Sequence, residues 1–158
     1  MGRDEAWFRS LHARSGEALT RYALRRAASA ADAEDVVAET FLVAWRRRDT
    51  VPEPPDDLLW LYGVARNTLS NVTRGERRRD RLRGRIAAEP PAAPAPDGDG
   101  LGAAVRDALS HLPPDDAELL LLIAWEELSH RELAAVFETT ENAIALRASR
   151  AKRRLAGL

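Results

Sequence analysis

The sequence contains no cysteine among its 158 residues. Disulfide bonds and thiolate chemistry are therefore excluded, and a reducing compartment suits the chain. Long apolar runs are also missing, since LLLLIAW, from Leu119 to Trp125, is far too short to span a bilayer. The first residues, MGRDEAWFRSLHARSG, show neither the apolar run nor the cleavage site of a signal peptide. These features predict a soluble, cytoplasmic protein.

Motifs that carry catalysis or bind a cofactor are absent as well. We find no glycine-rich phosphate loop, no metal-ligand spacing and no nucleophile motif. His12, His111 and His130 are scattered along the chain. The acids of the DAED segment resemble a metal site, but a helix that exposes such acids far more often forms a surface. We therefore expect no enzyme activity, no cofactor and no bound metal.

Charge is strongly segregated along the chain, although the formal net charge is only -1. Acids gather in ADAEDVVAE and PPDDAELLLLIAWEE, and arginines gather in RGERRRDRLRGR and near the C-terminus in ENAIALRASRAKRRL. A basic patch is typical of a polyanion partner, and an acidic face is typical of a protein partner. Each run is also compatible with a solvated helix surface.

A break in composition divides the chain into two parts. The segment PPAAPAPDGDG, from Pro90 to Gly100, is too rich in proline and glycine to form a helix or a packed core. Helical spacing of apolar residues is common elsewhere, and β-type alternation is absent. We therefore predict an all-α protein with two small helical domains, residues 1–88 and 101–158, joined by a flexible linker at residues 89–100.

Two helices are predicted at the start of the first domain. EAWFRSLHARSGEALTRYALRRAA is expected to break near Gly16, and ADAEDVVAETFLVAWRRR is expected to begin at Asp32 as its N-cap. At 100° per residue, the buried side of the second helix consists of Ala33, Val37, Phe41, Ala44 and Trp45. The opposite side consists of Asp32, Asp35, Glu39, Leu42 and Arg46. This acidic face suits either a basic helical partner or plain solvent.

A third helix is predicted from Trp60 to about Arg79. Its buried stripe consists of Leu61, Val64, Ala65, Thr68 and Val72, and its opposite face consists of Arg66, Ser70, Thr73, Arg74 and Arg77, flanked by Asn67. The helix runs into a cluster, residues 74–85, that contains seven arginines and two acids and favours nucleic acid. Trp60 and Tyr62 suit stacking on an unpaired base, or equally a place in the core.

The second domain shows a helix-turn-helix pattern. Pro113 and Pro114 predict a helix start, Ser129 and Glu132 form a capping box, and Thr140 caps the last helix after a turn near Glu138. The last helix places Ile144, Ala148, Ala151 and Leu155 in the core. The residues on its other side or edges are Asn142, Ala143, Leu146, Arg147, Ser149, Arg150, Arg153 and Arg154. This face fits base edges and phosphates in DNA, or a solvated basic helix.

Over nearly the whole chain these segments resemble an extracytoplasmic-function (ECF) sigma factor of bacteria. The resemblance is carried, in order, by DAEDVVAETFLVAWRRR, WLYGVARNTLSNVTRGERRR, the proline-rich linker and LPPDDAELLLLIAWEELSHRELAAVFETTENAIALRASRAKRRL. It implies that the first domain is sigma region 2 and the second is region 4. Such a protein binds core RNA polymerase and directs it to promoters by recognising -10 and -35 elements and helping to melt DNA.

The resemblance also implies a role for each face. The clamp coiled coil of the polymerase β′ subunit would bind Asp32, Asp35, Glu39, Leu42 and Arg46. The -10 element would be contacted by Trp60, Arg66, Asn67, Ser70, Asn71 and Arg74, with a flipped base held by the loop from Val51 to Leu59. The -35 element would be contacted by Asn142, Ala143, Leu146, Arg147, Arg150 and Arg153. The outer surface of region 4 would meet the polymerase β flap, the linker with Asp97 and Asp99 would enter the polymerase cleft, and an anti-sigma factor would hold the protein inactive.

Three features depart from the pattern of the family. Glu138 stands where the turn usually carries glycine, Leu146 stands where the recognition helix usually carries a polar residue, and the loop VPEPPDDLL is proline-rich and acidic. The competing interpretations are a stand-alone helix-turn-helix regulator, a degenerate sigma-like protein and a helical adaptor without a DNA role. The acidic docking face argues against a stand-alone regulator, which would not need it. The two basic faces argue against an adaptor, which would have no DNA to bind.

Overall fold

The computed structural model of the protein describes residues 2–82 and 103–157. Every regular element in these two stretches is a helix, so the all-α prediction is confirmed for them. The chain divides into two compact units, residues 1–96 and 97–158. The predicted linker, with Asp97 and Asp99, lies outside the described residues.

The first unit contains three helices, α1 (Glu5–Arg26), α2 (Ala30–Arg46) and α3 (Asp56–Leu82), with a short 3-10 helix at Arg48–Thr50. Each of the three α-helices packs on the other two. The side chain of Asp4 caps α1 by accepting a hydrogen bond from the Trp7 backbone nitrogen at 3.1 Å. Large side chains meet in the middle of this unit because every helix contributes an apolar stripe; its fully buried members include Leu11, Leu19, Tyr22, Val36 and Leu61.

Several sequence predictions for these helices are wrong in detail. Helix α1 continues through Gly16 without the expected break, because α1 packs on two other helices, and the His12 ring lies beside this glycine. Asp32 is not the N-cap of α2. Ser29 is, since its side chain accepts the hydrogen bond of the Asp32 backbone nitrogen at 3.1 Å. Ala33, Phe41 and Ala44 of the predicted buried side are buried, but Val36 is buried in place of Val37, and Trp45 is half-buried.

The second unit contains α4 (Ala103–Ser110), α5 (Pro114–Ala124), α6 (His130–Val136) and α7 (Glu141–Ala156). Helix α7 packs on both α5 and α6, and α4 packs on α5. Pro114 occupies the first turn of α5, where a missing N–H is harmless. Leu119, Leu122, Leu133 and Ile144 are fully buried and form the centre of the unit.

The helix-turn-helix of α6 and α7 forms as the sequence predicts. Ser129 and Glu132 make both hydrogen bonds of the capping box, at 3.0 and 3.2 Å. The Thr140 hydroxyl caps α7 by accepting from the Ala143 nitrogen at 3.1 Å. Between α6 and α7, Glu138 adopts a left-handed backbone with φ 52°. Glycine, which is usual at this position of the turn, adopts that conformation without strain. The turn therefore keeps its geometry without glycine.

Candidate nucleic-acid interface

The predicted docking residues form one exposed ridge along α2. Asp35, Glu39, Leu42 and Arg46 are exposed, and Asp32 is half-exposed in the first turn. Leu42 exposes 41% of its surface among these charged side chains. Glu39 and Arg46 approach each other to 3.9 Å without leaving solvent. Three acids and one arginine leave this ridge with two net negative charges.

The predicted -10 residues share one face of α3. At 100° per residue, Trp60, Arg66, Asn67, Ser70, Asn71 and Arg74 fall within an arc of about 140°. Asn67, Ser70 and Asn71 are exposed, and Trp60 and Arg66 are half-buried. The side chain of Arg74 and those of most of the arginine cluster lie outside the described residues. Tyr62, by contrast, is buried beside Tyr22, with ring centroids 5.1 Å apart, so it belongs to the core.

A groove of about 490 Å³ lies along the surface between α2 and α3. It connects the docking ridge of α2 with the predicted -10 face of α3. Its walls carry Glu39 of the docking ridge and the amide side chains of Asn67 and Asn71. Arg47 also lines the groove, and its guanidinium lies 5.6 Å from the centre of the Trp60 ring. Sequence reasoning missed Arg47, although its place between a docking helix and an aromatic residue is a signal that could have found it.

The loop before α3 is shorter than the sequence predicts. Helix α3 begins at Asp56, so only the first five residues of the predicted loop, 51–55, lie outside a helix. Val51 is buried in the core, as are Leu59 and the carboxylate-bearing Asp57. Pro52, Glu53, Pro54 and Pro55 are the part of the loop that solvent reaches. Any base that this loop contacts therefore meets these four residues.

The predicted -35 residues lie along one side of α7. Asn142, Leu146, Arg150 and Arg153 are exposed, Ala143 is half-exposed, and Leu146 exposes 57% of its surface. Arg153 donates a hydrogen bond to the Ser149 hydroxyl at 3.3 Å along the same face. The helix therefore presents small, amide and apolar groups near its N-terminus and cations farther along, which is the arrangement that major-groove contacts require.

Arg147 stands apart from the other predicted -35 residues. Its guanidinium lies 5.3 Å from the centre of the Phe137 ring and 4.0 Å from the Asp116 carboxylate. The same carboxylate accepts a hydrogen bond from Arg154 at 3.3 Å. Asp116 of α5 thus ties two arginines of α7 to its own helix. The sequence signal for this contact is weak, because the residues lie more than 30 positions apart.

The described part of each unit shows no cluster of side chains typical of a metal site. Groups of three or more His, Asp or Glu side chains that could hold an ion do not occur in residues 2–82 and 103–157. His12 instead packs against the Phe41 ring at 4.6 Å between centroids, and His111 Nδ1 lies 2.8 Å from the Asp107 carbonyl oxygen. Among the described helices, none is long and apolar enough to cross a bilayer.

Comparison with known proteins assigns each unit to a family. Residues 11–79 match the model of sigma-70 region 2, and residues 102–155 match that of sigma-70, region 4. RNA polymerase sigma factor CarQ of Myxococcus xanthus is 31% identical over 150 residues, which cover 94% of this chain and 86% of CarQ. ECF RNA polymerase sigma factor BldN of Streptomyces coelicolor is 32% identical over 157 residues, which cover 96% and 60%.

Relatives differ in length, and solved structures share the fold. The chain spans only 36% of the probable RNA polymerase sigma factor RfaY of Xanthomonas campestris, to which it is 31% identical over 143 residues. The sigma factor RpoE of Bartonella quintana, solved in complex with the anti-sigma factor NepR, superposes with a TM-score of 0.68 at 27% identity. That match covers 94% of this chain and 93% of RpoE. The chain therefore belongs to the extracytoplasmic-function sigma factors of the sigma-70 family.

Proposed function

We propose that this protein is a dissociable transcription initiation subunit that binds core RNA polymerase and directs it to promoters with two spaced elements. The observation that carries the proposal is the pairing of an acidic ridge with two separate basic or amide faces in one chain. A stand-alone regulator needs only a DNA-binding face, whereas a polymerase subunit needs both kinds of surface. The polymerase and the chromosome share the bacterial cytoplasm, which is where we place the protein.

The ridge of α2 is the surface we assign to the polymerase. Two net negative charges attract a basic partner over several ångströms, and the exposed Leu42 offers an apolar contact at the centre of the ridge. Such a combination of a central apolar residue and a charged rim is typical of protein interfaces. Asp32, Asp35, Glu39, Leu42 and Arg46 would meet the clamp coiled coil of β′, and the second unit would meet the β flap.

The face of α3 is the surface we assign to the -10 element. Exposed amide and hydroxyl groups at Asn67, Ser70 and Asn71 suit the edges and backbone of an opened strand. Arg47 adds a cation at the same groove, beside the ring of Trp60. Arg66 and Arg74 complete the set. A base that leaves the duplex costs a few kcal/mol, which the loop at residues 51–55 and these contacts would offset.

The side of α7 that carries Arg150 and Arg153 is the surface we assign to the -35 element. Leu146 is placed for contact with a thymine methyl group, and Asn142 and Ala143 for close approach to base edges. Arg147 would act at the edge of this surface because Asp116 and Phe137 hold it there. Each DNA-facing surface is small, so tethering both to one polymerase raises the effective concentration of each at its element.

Control by an anti-sigma factor completes the proposal. The similar RpoE of Bartonella quintana was solved with such a factor bound. An inhibitor of this chain would cover the docking ridge of α2 or the DNA-facing side of α7. A tight partner that co-purifies from the host and competes with core polymerase would support this.

Charge reversal on the ridge tests the assignment to the polymerase. In the double variant D35R/E39R, two exposed acids become arginines, and we expect the affinity for core polymerase to fall by about 100-fold or more. Binding of the isolated protein to DNA should not weaken, since neither residue is assigned to DNA and a positive charge at position 39, in the groove beside Asn67 and Asn71, favours a polyanion. Fluorescence anisotropy with labelled protein measures both affinities.

The matched control is E5R/E17R, which changes charge by the same amount at two exposed acids of α1. This control should bind polymerase like the wild type. If D35R/E39R also binds polymerase with wild-type affinity, the ridge is not the docking surface.

A further inference from the structure

Arg3 connects the start of α1 to the loop before α3. Its Nη1 donates to the backbone carbonyl oxygens of Arg48 and Val51, and its Nη2 donates to Glu53 Oε1 at 2.8 Å. The side chain is only 18% exposed, and its guanidinium lies 4.8 Å from the centre of the Trp7 ring. A planar guanidinium can serve three acceptors at once, which lysine cannot do in the same geometry.

The far end of the loop is also held by α1. Arg14 donates to Asp57 Oδ2 at 2.8 Å, and Asp57 Oδ1 accepts from the Leu58 nitrogen at 2.9 Å. Asp57 is buried, so this charge pair is protected from solvent on the carboxylate side. Arg3, just before α1, and Arg14, within α1, therefore fix the two ends of the loop, and each lies more than 40 positions from its partners in sequence.

Between these two anchors the loop has little freedom. Val51 is buried, and the Asp56 nitrogen donates to the Glu53 carbonyl oxygen at 3.0 Å. Pro52, Pro54 and Pro55 each have a backbone φ fixed by the ring. Only the carboxylate of Glu53 could swing freely, and Arg3 holds it. The exposed surface of the loop is therefore set before any ligand arrives.

We propose that Arg3 is a positioning residue for base recognition, which clamps the loop at residues 51–55 in the shape that receives a flipped base of the -10 element. This inference rests on the proposed function. A loop that is already ordered loses no conformational entropy when the base enters, and it rejects bases that do not fit its fixed surface. Loss of the clamp would weaken discrimination at that base more than it weakens DNA binding as a whole.

The test uses the full chain with core polymerase and a promoter mapped for the wild type. A template library randomises every position of the -10 and -35 elements, and sequencing of the transcripts gives the base preference at each position. In R3A, we expect the preference at one or two -10 positions to fall by about 10-fold, because the loop loses the three hydrogen bonds that hold its shape. The preferences at the -35 element should stay unchanged.

Two further variants separate the clamp from a general charge effect. R9A removes an exposed arginine of α1 that pairs with Glu5 at 3.2 Å, and we expect wild-type preferences from it. R21A removes a second exposed arginine of α1, which pairs with Glu17 at 2.9 Å, and it should likewise keep wild-type preferences. Arg3 precedes the first helix, and circular dichroism of R3A should match that of the wild type.

Hydrogen exchange reports on the clamp without transcription. The backbone nitrogens of Thr50 and Asp56 donate to carbonyl oxygens of Arg47 and Glu53. In R3A we expect these two amides to exchange about 10-fold faster, while amides of the buried part of α1 do not change. Unchanged exchange at both positions would show that Arg3 does not hold the loop, and would overturn the proposal.

The transcription outcomes distinguish this inference from the function on which it rests. A wild-type protein that selects no start sites overturns the proposed function, and the role of Arg3 with it. If the wild-type protein selects start sites and R3A shows the same -10 preferences as the wild type, only the role of Arg3 is overturned. An equal loss of preference at the -10 and -35 elements would also overturn it, because the clamp touches only the first unit.

Discussion

The loop before α3 and the turn before α7 both lead into a helix that we propose to contact DNA, yet different contacts hold them. The loop is fixed from outside by Arg3 and Arg14, each more than 40 residues before the residues that it contacts. The turn is fixed by its own neighbours, through the Thr140 cap and the positive φ of Glu138. Arg3 and Arg14 can therefore be substituted without changing any residue of the loop. Thr140 and Glu138 belong to the turn that they fix, so substituting them changes the turn directly.

The largest effect is expected at the contact between Arg14 and Asp57, which fixes the far end of the loop. In D57N, the buried partner of Arg14 loses its charge and the first turn of α3 loses a strong acceptor. Because Arg14 is 41% exposed and keeps water around it, we expect a loss of about 2 kcal/mol in the stability of the first unit rather than the full cost of a broken buried pair.

Amide hydrogen exchange of α1 and α3 measures this loss separately from the second unit. R9A, which removes an exposed arginine from α1, is the control and should change stability by less than about 0.5 kcal/mol. Equal effects of D57N and R9A would mean that the Arg14 contact does not anchor the loop, and the contrast between the two segments would disappear.

A smaller effect is expected at the local cap of the turn. T140A removes the hydroxyl that accepts from the Ala143 nitrogen, and such a loss costs about 1 kcal/mol of helix stability. Exchange at the first amides of α7 should rise, and exchange in the first unit should not. T140S keeps the acceptor and should behave like the wild type. If T140A leaves α7 unchanged, the cap does not hold the turn.

The smallest effect is expected at Glu138, and it has the opposite sign. A non-glycine residue with φ 52° is strained by about 1 kcal/mol or more, which glycine would relieve. Glycine also gains freedom in the unfolded chain, so we expect E138G to stabilise the second unit by about 0.5 kcal/mol. E138A removes the same charge but keeps the strain, so it should not stabilise. A destabilised E138G would show that the side chain of Glu138 contributes more than its backbone strain costs.

The sequence predicted best those features that depend on residues within one helical turn of each other. The capping box of Ser129 and Glu132 and the cap at Thr140 are of this kind, and the structure has both. The left-handed residue at Glu138 was expected instead from the resemblance to the family, which usually carries glycine there. The exposed positions of Leu42 and Leu146 also follow from helical periodicity alone. Their binding roles stay predictions.

Features that depend on contacts between distant residues could not be predicted from the sequence. Nothing near Arg3 indicates that its side chain reaches carbonyl oxygens 45 and 48 residues away. Asp57 looks like one more acid of a solvated loop, yet packing against α1 buries it. The expected break at Gly16 failed for a related reason, since packing of α1 on two other helices outweighs the low helix propensity of one glycine.

The most direct test is transcription in vitro with sigma-free core polymerase, the purified protein and fragmented genomic DNA of the host, followed by mapping of the 5′ ends. The proposed function predicts discrete start sites that share two upstream elements at a fixed spacing, and their loss in D35R/E39R. An absence of discrete start sites, with a folded protein and an active control sigma factor, would contradict it.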